Sequence, residues 1–163
     1  MFSKFDIDCM KIALKEAQLA YNKGEVPIGA VLTLDKTVIA QSHNQVESLN
    51  DATSHAEMIC LKEGSKKINN WRLCKTTLYV TVEPCAMCAG ASILSRVNKI
   101  IYGCNEPRSG ALGSWVNLFE SKHPIHHVEF LSGLMELESR YLIQKFFKER
   151  RETCKQMKHC LKS

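Results

Sequence analysis

The chain has 163 residues, of which 45% are hydrophobic and 24% charged, and its formal net charge is +5. A chain of this size buries about 70% of the surface that its unfolded form exposes, which predicts one domain with its own core. The chain has no apolar run of about 18 residues, so we expect neither a membrane span nor a signal peptide. Eight cysteines in such a chain indicate reduced thiols in the cytoplasm rather than a disulfide scaffold.

The first predicted elements are a helix and a hairpin. Apolar residues recur at helical spacing from Asp6 onward, and a glycine follows that run as a natural stop. Two apolar, β-branched segments, residues 28–34 and 37–40, flank Asp35 and Lys36. That arrangement predicts an antiparallel hairpin with a tight turn.

Helices and strands alternate along the rest of the chain. We predict helices at residues 54–63, 85–95 and 134 to about 156, and strands at residues 77–82, 99–103 and 128–131. The final helix is expected to turn Leu134, Leu137, Tyr141 and Leu142 inward. Residues 104–114 are rich in Gly, Ser, Pro and Asn and predict a surface loop, without the Gly-Lys-Ser or Gly-Lys-Thr of a phosphate-binding loop. The order of elements predicts an α/β fold whose mostly parallel sheet lies between helices.

Basic residues concentrate near the end of the chain. Residues 142–163 contain seven Lys or Arg and two Glu, an excess that equals the whole net charge. Such a face can bind phosphate backbones, because each contact releases condensed counterions, but it can also be a solvated helix end, and the tail alone favours that second interpretation. The seven are Lys145, Lys148, Arg150, Arg151, Lys155, Lys158 and Lys162. We place one domain at residues 1–151 and a basic tail, a candidate for disorder that contains Cys154 and Cys160, at residues 152–163.

Two short motifs together predict a zinc site. Each motif alone is weak: Cys85 and Cys88 form a Cys-x-x-Cys pair that also suits a redox site, and Ser54-x-x-Glu57 also suits a helix capping box. Combined with His55, the two cysteines supply three nitrogen and sulfur ligands, a count that leaves one position of a tetrahedral zinc open for water. The count therefore predicts a catalytic metal.

Glu57 lies two residues from His55 and need not bind the metal. Its carboxylate is suited to carry a proton between a zinc-activated water and a leaving nitrogen. The three ligands fall at two predicted helix starts, where Pro84 is tolerated and the helix dipole favours thiolate. Three histidines near the fifth strand, His123, His126 and His127, form a second candidate cluster, which we interpret as surface or strand-edge residues.

The same residues carry a resemblance to a known family. His-x-Glu followed by Pro-Cys-x-x-Cys is the signature of the zinc-dependent nucleobase deaminases. The match extends over nearly the whole chain and is similar to the bacterial tRNA-specific adenosine deaminase (TadA) family. The segments that carry it are VPIGAV at 26–31, HN at 43–44, DATSHAEM at 51–58, TLYVTVEPCAMCAGA at 77–91, SGALGS at 109–114 and FFKERR at 146–151.

The resemblance implies a three-layer α/β/α cytidine deaminase-like fold with a five-stranded mixed sheet, a homodimer and one zinc ion per subunit. It also implies conversion of adenosine to inosine at the wobble position of an arginine tRNA, by attack of zinc-bound hydroxide on C6 of the adenine. Glu57 is the implied proton shuttle. The implied substrate contacts are Asn44, Val26, Pro27, Gly29, Ala30, Ala56, Pro84 and Glu106, and the implied contacts to the RNA backbone are Lys148, Arg150 and Arg151.

Alternatives remain at several of these positions. Asn44 also suits a turn at a strand end, and Phe146 and Phe147 offer either stacking faces or packing, with packing favoured for at least one. Glu106 stands where the family usually has Asp, and Asn105 where a basic residue is common. The rival functions are deamination of a free base or nucleotide, which has less need of a basic helix, and a zinc-stabilised RNA-binding module, which has no use for Glu57.

Overall fold

The computed structural model describes residues 1–121 and 123–160. Its elements in chain order are α1 (Lys4–Asn22), β1 (Gly29–Leu34), β2 (Thr37–His43), α2 (Val46–Leu49), α3 (Ala56–Lys67), β3 (Thr76–Val82), α4 (Ala86–Leu94), β4 (Lys99–Cys104), β5 (Glu129–Leu131) and α5 (Glu136–Cys160). The strands form a five-stranded sheet in the order β2-β1-β3-β4-β5. The predicted α/β class with a mixed sheet is confirmed.

One reversed strand makes the sheet mixed. β1 runs antiparallel to both β2 and β3, whereas β3 pairs in parallel with β4 and β4 with β5. The hairpin turn consists of Asp35 and Lys36, with φ values of 46° and 63°, the left-handed geometry that a two-residue turn between twisted strands requires. The antiparallel start predicted from the sequence is therefore confirmed.

The sheet separates two hydrophobic clusters, because successive strand residues point to opposite faces. Leu78 and Val80 of β3 pack in the cluster beside α3 and α4, together with Leu32 and Ile100 of the neighbouring strands. Tyr79, between them in sequence, packs in the second cluster with residues of α1. This alternation produces three layers, with α3 and α4 on one face of the sheet and α1 on the other.

α1 begins two residues earlier than its apolar pattern indicates. Ser3 and Asp6 form a capping box in which each side chain accepts the backbone N–H of the other, so the first turn is satisfied. The helix then packs closely on β1. A Cβ at Gly29 would lie 2.0 Å from the carbonyl oxygen of Ala13, so only glycine permits this approach of helix to strand.

α5 departs from its predicted boundaries and inward face. It begins at Glu136 rather than Leu134 and continues to Cys160, through most of the segment assigned to a tail. Leu134 and Leu142 are buried, as expected, but Leu137 and Tyr141 are 80% and 66% exposed. The prediction was wrong for those two side chains because the buried stripe runs through Ser139, Leu142 and Phe146, a spacing of three to four residues.

Two exposed surfaces are relevant below. A groove of about 630 Å³ lies between α3 and α4, and it is lined by apolar side chains that include Trp71, Leu94 and Ile125. The second tryptophan, Trp115, is exposed in the segment between β4 and β5. Among the described helices, none has the length and apolarity needed to cross a bilayer.

Candidate active site

His55, Cys85 and Cys88 meet where two helices begin. His55 is the N-cap residue of α3 and Cys85 that of α4, and neither side chain makes a capping hydrogen bond. The Nδ1 atom of His55 lies 3.6 Å from the Sγ of Cys85 and 3.6 Å from the Sγ of Cys88. All three ligand atoms lie within 4.8 Å of one another. The fold thus brings His55 close to two cysteines that lie 30 and 33 residues further along the chain.

The spacing of these atoms fits a tetrahedral zinc ion. Zinc lies about 2.3 Å from sulfur and about 2.0–2.1 Å from imidazole nitrogen, so a tetrahedral angle separates the two ligand atoms by about 3.6 Å. That is the separation of His55 from each cysteine. Three such ligands leave a fourth coordination position for a small molecule.

The two thiols ionise unequally. A hydrogen bond with the Cys88 thiol lowers the pKa of Cys85 to about 4, with a further contribution from His55 and against the effect of burial. The same contact, together with burial, raises the pKa of Cys88 well above its ordinary value. A thiol that coordinates a metal is deprotonated, so both cysteines would be thiolates only with a dication between them to offset the second negative charge.

Glu57 is a buried carboxylate with one unpaired oxygen. It lies in the first turn of α3 and is 3% exposed, and its Oε2 has no hydrogen-bond partner among the described residues. Burial raises its pKa. The capping-box interpretation is wrong, because the Ser54 hydroxyl donates to Asp51 at 2.8 Å instead. An unpaired buried carboxyl is costly to stability and is a mark of a functional site.

Asn44 connects β2 to the segment that precedes β1. Its backbone N–H donates to the carbonyl of Ile28 at 3.0 Å, and its side-chain Nδ2 donates to Oε2 of Glu25 at 3.1 Å. Asn44 does stand at a strand end, but its buried side chain bonds to Glu25 rather than to the local backbone of a turn. The two bonds join Asn44 to the segment that contains the expected pocket residues Val26, Pro27, Gly29 and Ala30.

The remaining expected pocket residues come from three other segments. Ala56 is fully buried in the same core cluster as Ala30. Pro84 is buried directly before Cys85, two residues before α4 begins, and its carbonyl accepts the N–H of Ala111 at 2.9 Å. Glu106 is half-buried, and its Oε1 accepts from the backbone and the guanidinium of Arg108 at 3.0 and 3.2 Å. Its contact with substrate stays a prediction.

Glu83 is a residue whose importance the motif analysis missed. It is 3% exposed, and its carboxylate accepts the backbone N–H groups of Glu106, Leu112 and Ser114 at 3.1, 2.9 and 3.1 Å and the Ser114 hydroxyl. A bridge between Cys85 and Gly110 holds the same loop against the metal cluster. A charged residue directly after a strand that carries no charge was the available signal.

The basic residues of α5 lie on an exposed surface. Lys148, Arg150 and Arg151 are all exposed, but Arg150 donates to the carbonyl of Gly24 at 2.6 Å and so also joins α5 to the segment after α1. Phe146 is buried against Tyr21, which confirms packing for that ring, and Phe147 lies under the Arg108 guanidinium at 5.2 Å. The Lys158 side chain and Lys162 lie outside the described residues.

The alternative histidine cluster does not form a metal site. His126 Nε2 lies 2.7 Å from the carbonyl oxygen of Val97, and His123 Nδ1 accepts the N–H of Ile125 at 3.2 Å. In the part of the chain that the structure describes, the one group of three or more potential ligands is His55, Cys85 and Cys88. Two of the three histidines near β5, His123 and His126, therefore have structural contacts.

A three-layer α/β/α domain that joins a His/Cys/Cys cluster to a buried glutamate defines a deaminase of the zinc-dependent type. A family model described as MafB19-like deaminase matches residues 5–151. The tRNA-specific adenosine deaminase of Bacillus subtilis is 46% identical over 143 residues, which cover 88% of this chain and 89% of the relative. The chain belongs to the MafB19-like deaminase family and, within it, to the tRNA-specific adenosine deaminases.

Solved structures agree with this assignment. A structure from studies of A-to-I editing by tRNA:A34 deaminases at the wobble position is 42% identical, with a TM-score of 0.80 and coverage of 83% of this chain and 98% of the other. A guanine deaminase from Nitrosomonas europaea is 17% identical, with a TM-score of 0.71 and coverage of 90% and 85%. At that identity the second likeness supports the fold alone.

Proposed function

We propose that this protein hydrolyses adenosine to inosine at the wobble position of a tRNA, and that its substrate is an arginine tRNA. The observation that carries the proposal is the unpaired Glu57 carboxyl beside three metal ligands that leave a coordination position open. The relatives named for tRNA and for A34 share 46% and 42% identity with this chain, which supports the choice of substrate over a free base.

His55, Cys85 and Cys88 would hold one zinc ion per subunit. When bound there, zinc supplies the Lewis acidity that makes water a nucleophile near neutral pH. The Glu57 carboxyl would take a proton from the attacking water and donate a proton to the amine that leaves C6. Its burial favours the protonated form, so the carboxyl is suited to donate as well as to accept.

Asn44 and the segments around it would form the base pocket. The amide of Asn44 hydrogen-bonds the adenine, while the apolar and small residues Val26, Pro27, Gly29, Ala30, Ala56 and Pro84 enclose it. Most of these residues are buried, which suits a base that has left its stack and lost contact with water. Glu106, at the head of the loop that Glu83 holds, would face the flanking ribose.

Lys148 and Arg151 would contact the phosphates of the anticodon loop, and Arg150 would do so while bonded to Gly24. Replacing Lys148 and Arg151 with glutamine is expected to weaken stem-loop binding and to reduce the slope of log Kd against log salt by about 0.7 for each lost contact. The control is Lys36→Gln, because Lys36 lies in the turn between β1 and β2, at the end of β1 away from Gly24. An unchanged slope in the double variant would remove these residues from the RNA contacts.

The decisive experiment offers the zinc-loaded protein an arginine tRNA anticodon stem-loop with adenosine at position 34, the same stem-loop with guanosine there, and free adenosine, guanine, cytidine and deoxycytidylate. We expect inosine and ammonia from the first substrate alone. If the protein deaminates the free compounds but not the stem-loop, the tRNA proposal is refuted. The Glu57→Gln variant is the inactive control.

A homodimer would bury the apolar groove between α3 and α4. The groove is lined by helix residues and by Trp71 and Ile125, and a surface of this kind is typical of an association site. Leu94→Glu is expected to yield monomers in analytical ultracentrifugation, whereas Leu137→Glu, on the exposed face of α5, leaves the dimer intact. We further place the protein in the cytoplasm, because the seven cysteines whose side chains are described are free thiols.

A further inference from the structure

Glu25 is a buried carboxylate that has no place in the metal cluster. It follows α1 and is 1% exposed. Its Oε2 accepts from Asn44 Nδ2 at 3.1 Å and from the N–H of Glu47 at 3.2 Å, and its Oε1 accepts the N–H of Ser48 at 2.7 Å. One side chain therefore connects the residue expected to contact the base with the backbone of α2.

Only a carboxylate satisfies all of these donors. Both of its oxygens accept hydrogen bonds, whereas a glutamine would present an NH₂ group either to the N–H of Ser48 or to the Nδ2 of Asn44. Burial opposes ionisation of Glu25, but the N–H donors of Ser48 and Glu47 and the Asn44 amide outweigh it and lower its pKa below the ordinary value. The site thus holds a charged acceptor directly behind the Asn44 amide.

This contact determines which way the Asn44 amide faces. An asparagine amide presents a donor on one end and an acceptor on the other, and exchanging the ends reverses the hydrogen bonds that it offers a ligand. Because Nδ2 donates one hydrogen to Glu25, the carbonyl Oδ1 and the second Nδ2 hydrogen of Asn44 point away from the Glu25 carboxylate. We propose that Glu25 is a positioning residue that orients the Asn44 amide toward the target base, an inference that rests on the proposed function.

A purely structural role for Glu25 makes a different prediction. Glu25 also joins the segment before β1 to the backbone of α2, so its loss will reduce stability in either case. If stability were its whole contribution, the effects of changing Glu25 and Asn44 on the rate would multiply. If Glu25 acts through Asn44, its effect disappears once the Asn44 amide is absent.

The test is a double-mutant cycle on the zinc-loaded protein with the arginine tRNA stem-loop. Glu25→Gln is expected to lower kcat/KM by on the order of 10- to 100-fold, because the Asn44 amide loses the charged acceptor that holds it in one orientation, with unchanged zinc content. Adding Glu25→Gln to Asn44→Ala should change the rate little further. Asp6→Asn, at the far end of α1 and bonded to Tyr79, is the matched control, whose effect should multiply with that of Asn44→Ala.

A second measurement is independent of turnover. The side-chain amide signals of Asn44 in a ¹⁵N correlation spectrum are identified as those that disappear in Asn44→Ala. Glu25→Gln should shift these signals, whereas Asp6→Asn should leave them unchanged. Multiplicative rate effects or an unshifted amide would overturn the proposal. A wild-type protein that leaves the stem-loop unchanged would refute the proposed function instead, and the amide signals would still decide whether Glu25 holds Asn44.

Discussion

Glu57 and Glu83 are both 3% exposed and both stand at element ends beside the metal cluster, yet their surroundings are opposite. Glu57 has an oxygen without a hydrogen-bond partner among the described residues, whereas Glu83 accepts three backbone N–H groups and one hydroxyl. A saturated carboxylate is fixed in place, and an unpaired one retains the capacity to exchange a proton. The difference separates a residue that reacts from one that shapes the site.

The largest expected effect comes from Glu57→Gln. Loss of the proton carrier should reduce kcat by about 10³-fold or more, while the metal ligands and the fold stay intact because the carboxyl makes few structural contacts. Steady-state kinetics and metal analysis of the purified variant measure both. Glu63→Gln, exposed on the same helix, is the control. Loss of metal in the Glu57 variant would instead make Glu57 a ligand.

Glu83→Gln should have the second largest effect and a different character. An NH₂ group would face backbone N–H groups of the loop, leaving buried donors unsatisfied at a cost of about 2 kcal/mol in the free energy of unfolding. Urea denaturation measures that loss, and a rise in KM for the stem-loop with near-normal kcat would indicate a displaced loop. A 10³-fold fall in kcat with normal stability would contradict the distinction from Glu57.

Gly110→Ala tests the same contact from the other side. A Cβ there would lie 2.4 Å from Cδ of Glu83 and 2.7 Å from the carbonyl oxygen of Glu106. Overpacking of this kind should lower the free energy of unfolding by about 1–2 kcal/mol. Gly90→Ala in α4, where a Cβ meets no heavy atom within 4 Å, should be neutral or stabilising. Equal effects of the two changes in thermal unfolding would argue against a close approach at Gly110.

Ser114→Ala should have the smallest effect. It removes the hydroxyl donor to Glu83 and leaves the backbone N–H donors in place, so we expect a loss of about 1 kcal/mol in the free energy of unfolding. Ser109→Ala, exposed in the same loop, is the matched control. A change in Ser114 as damaging as Glu83→Gln would show that the hydroxyl, rather than the backbone donors, positions the loop.

The three candidate metal ligands could be predicted because short, local sequence motifs identify them. His55, Cys85 and Cys88 lie in two short motifs, and each motif precedes an apolar helical run that indicates where a helix begins. The order of helices and strands likewise predicted the sheet and its two covered faces. By contrast, α2 has only four residues, too few for a periodic pattern to emerge.

The roles of Glu25 and Glu83 could not be predicted in the same way. Their partners are mainly backbone N–H groups 22 to 31 residues away, and a backbone donor leaves no mark on the residue type. Local patterns also misplaced a cap: Ser54 and Glu57 match a capping box, but Ser54 bonds to Asp51 because the loop before α3 folds back on itself. Tertiary contacts decided the roles of Glu25 and Glu83, whereas a contact inside one loop decided the cap.

The two tryptophans of the chain are both exposed, at 53% for Trp71 and 64% for Trp115, and they stand on different surfaces. Trp71 lines the groove between α3 and α4, whereas Trp115 directly follows the serine that binds Glu83. Intrinsic fluorescence therefore contains two separable signals. In Trp115→Phe, the remaining emission of Trp71 responds to burial of the groove. In Trp71→Phe, the remaining emission of Trp115 responds to changes in the loop. Association and substrate entry can therefore be followed in real time without an added dye.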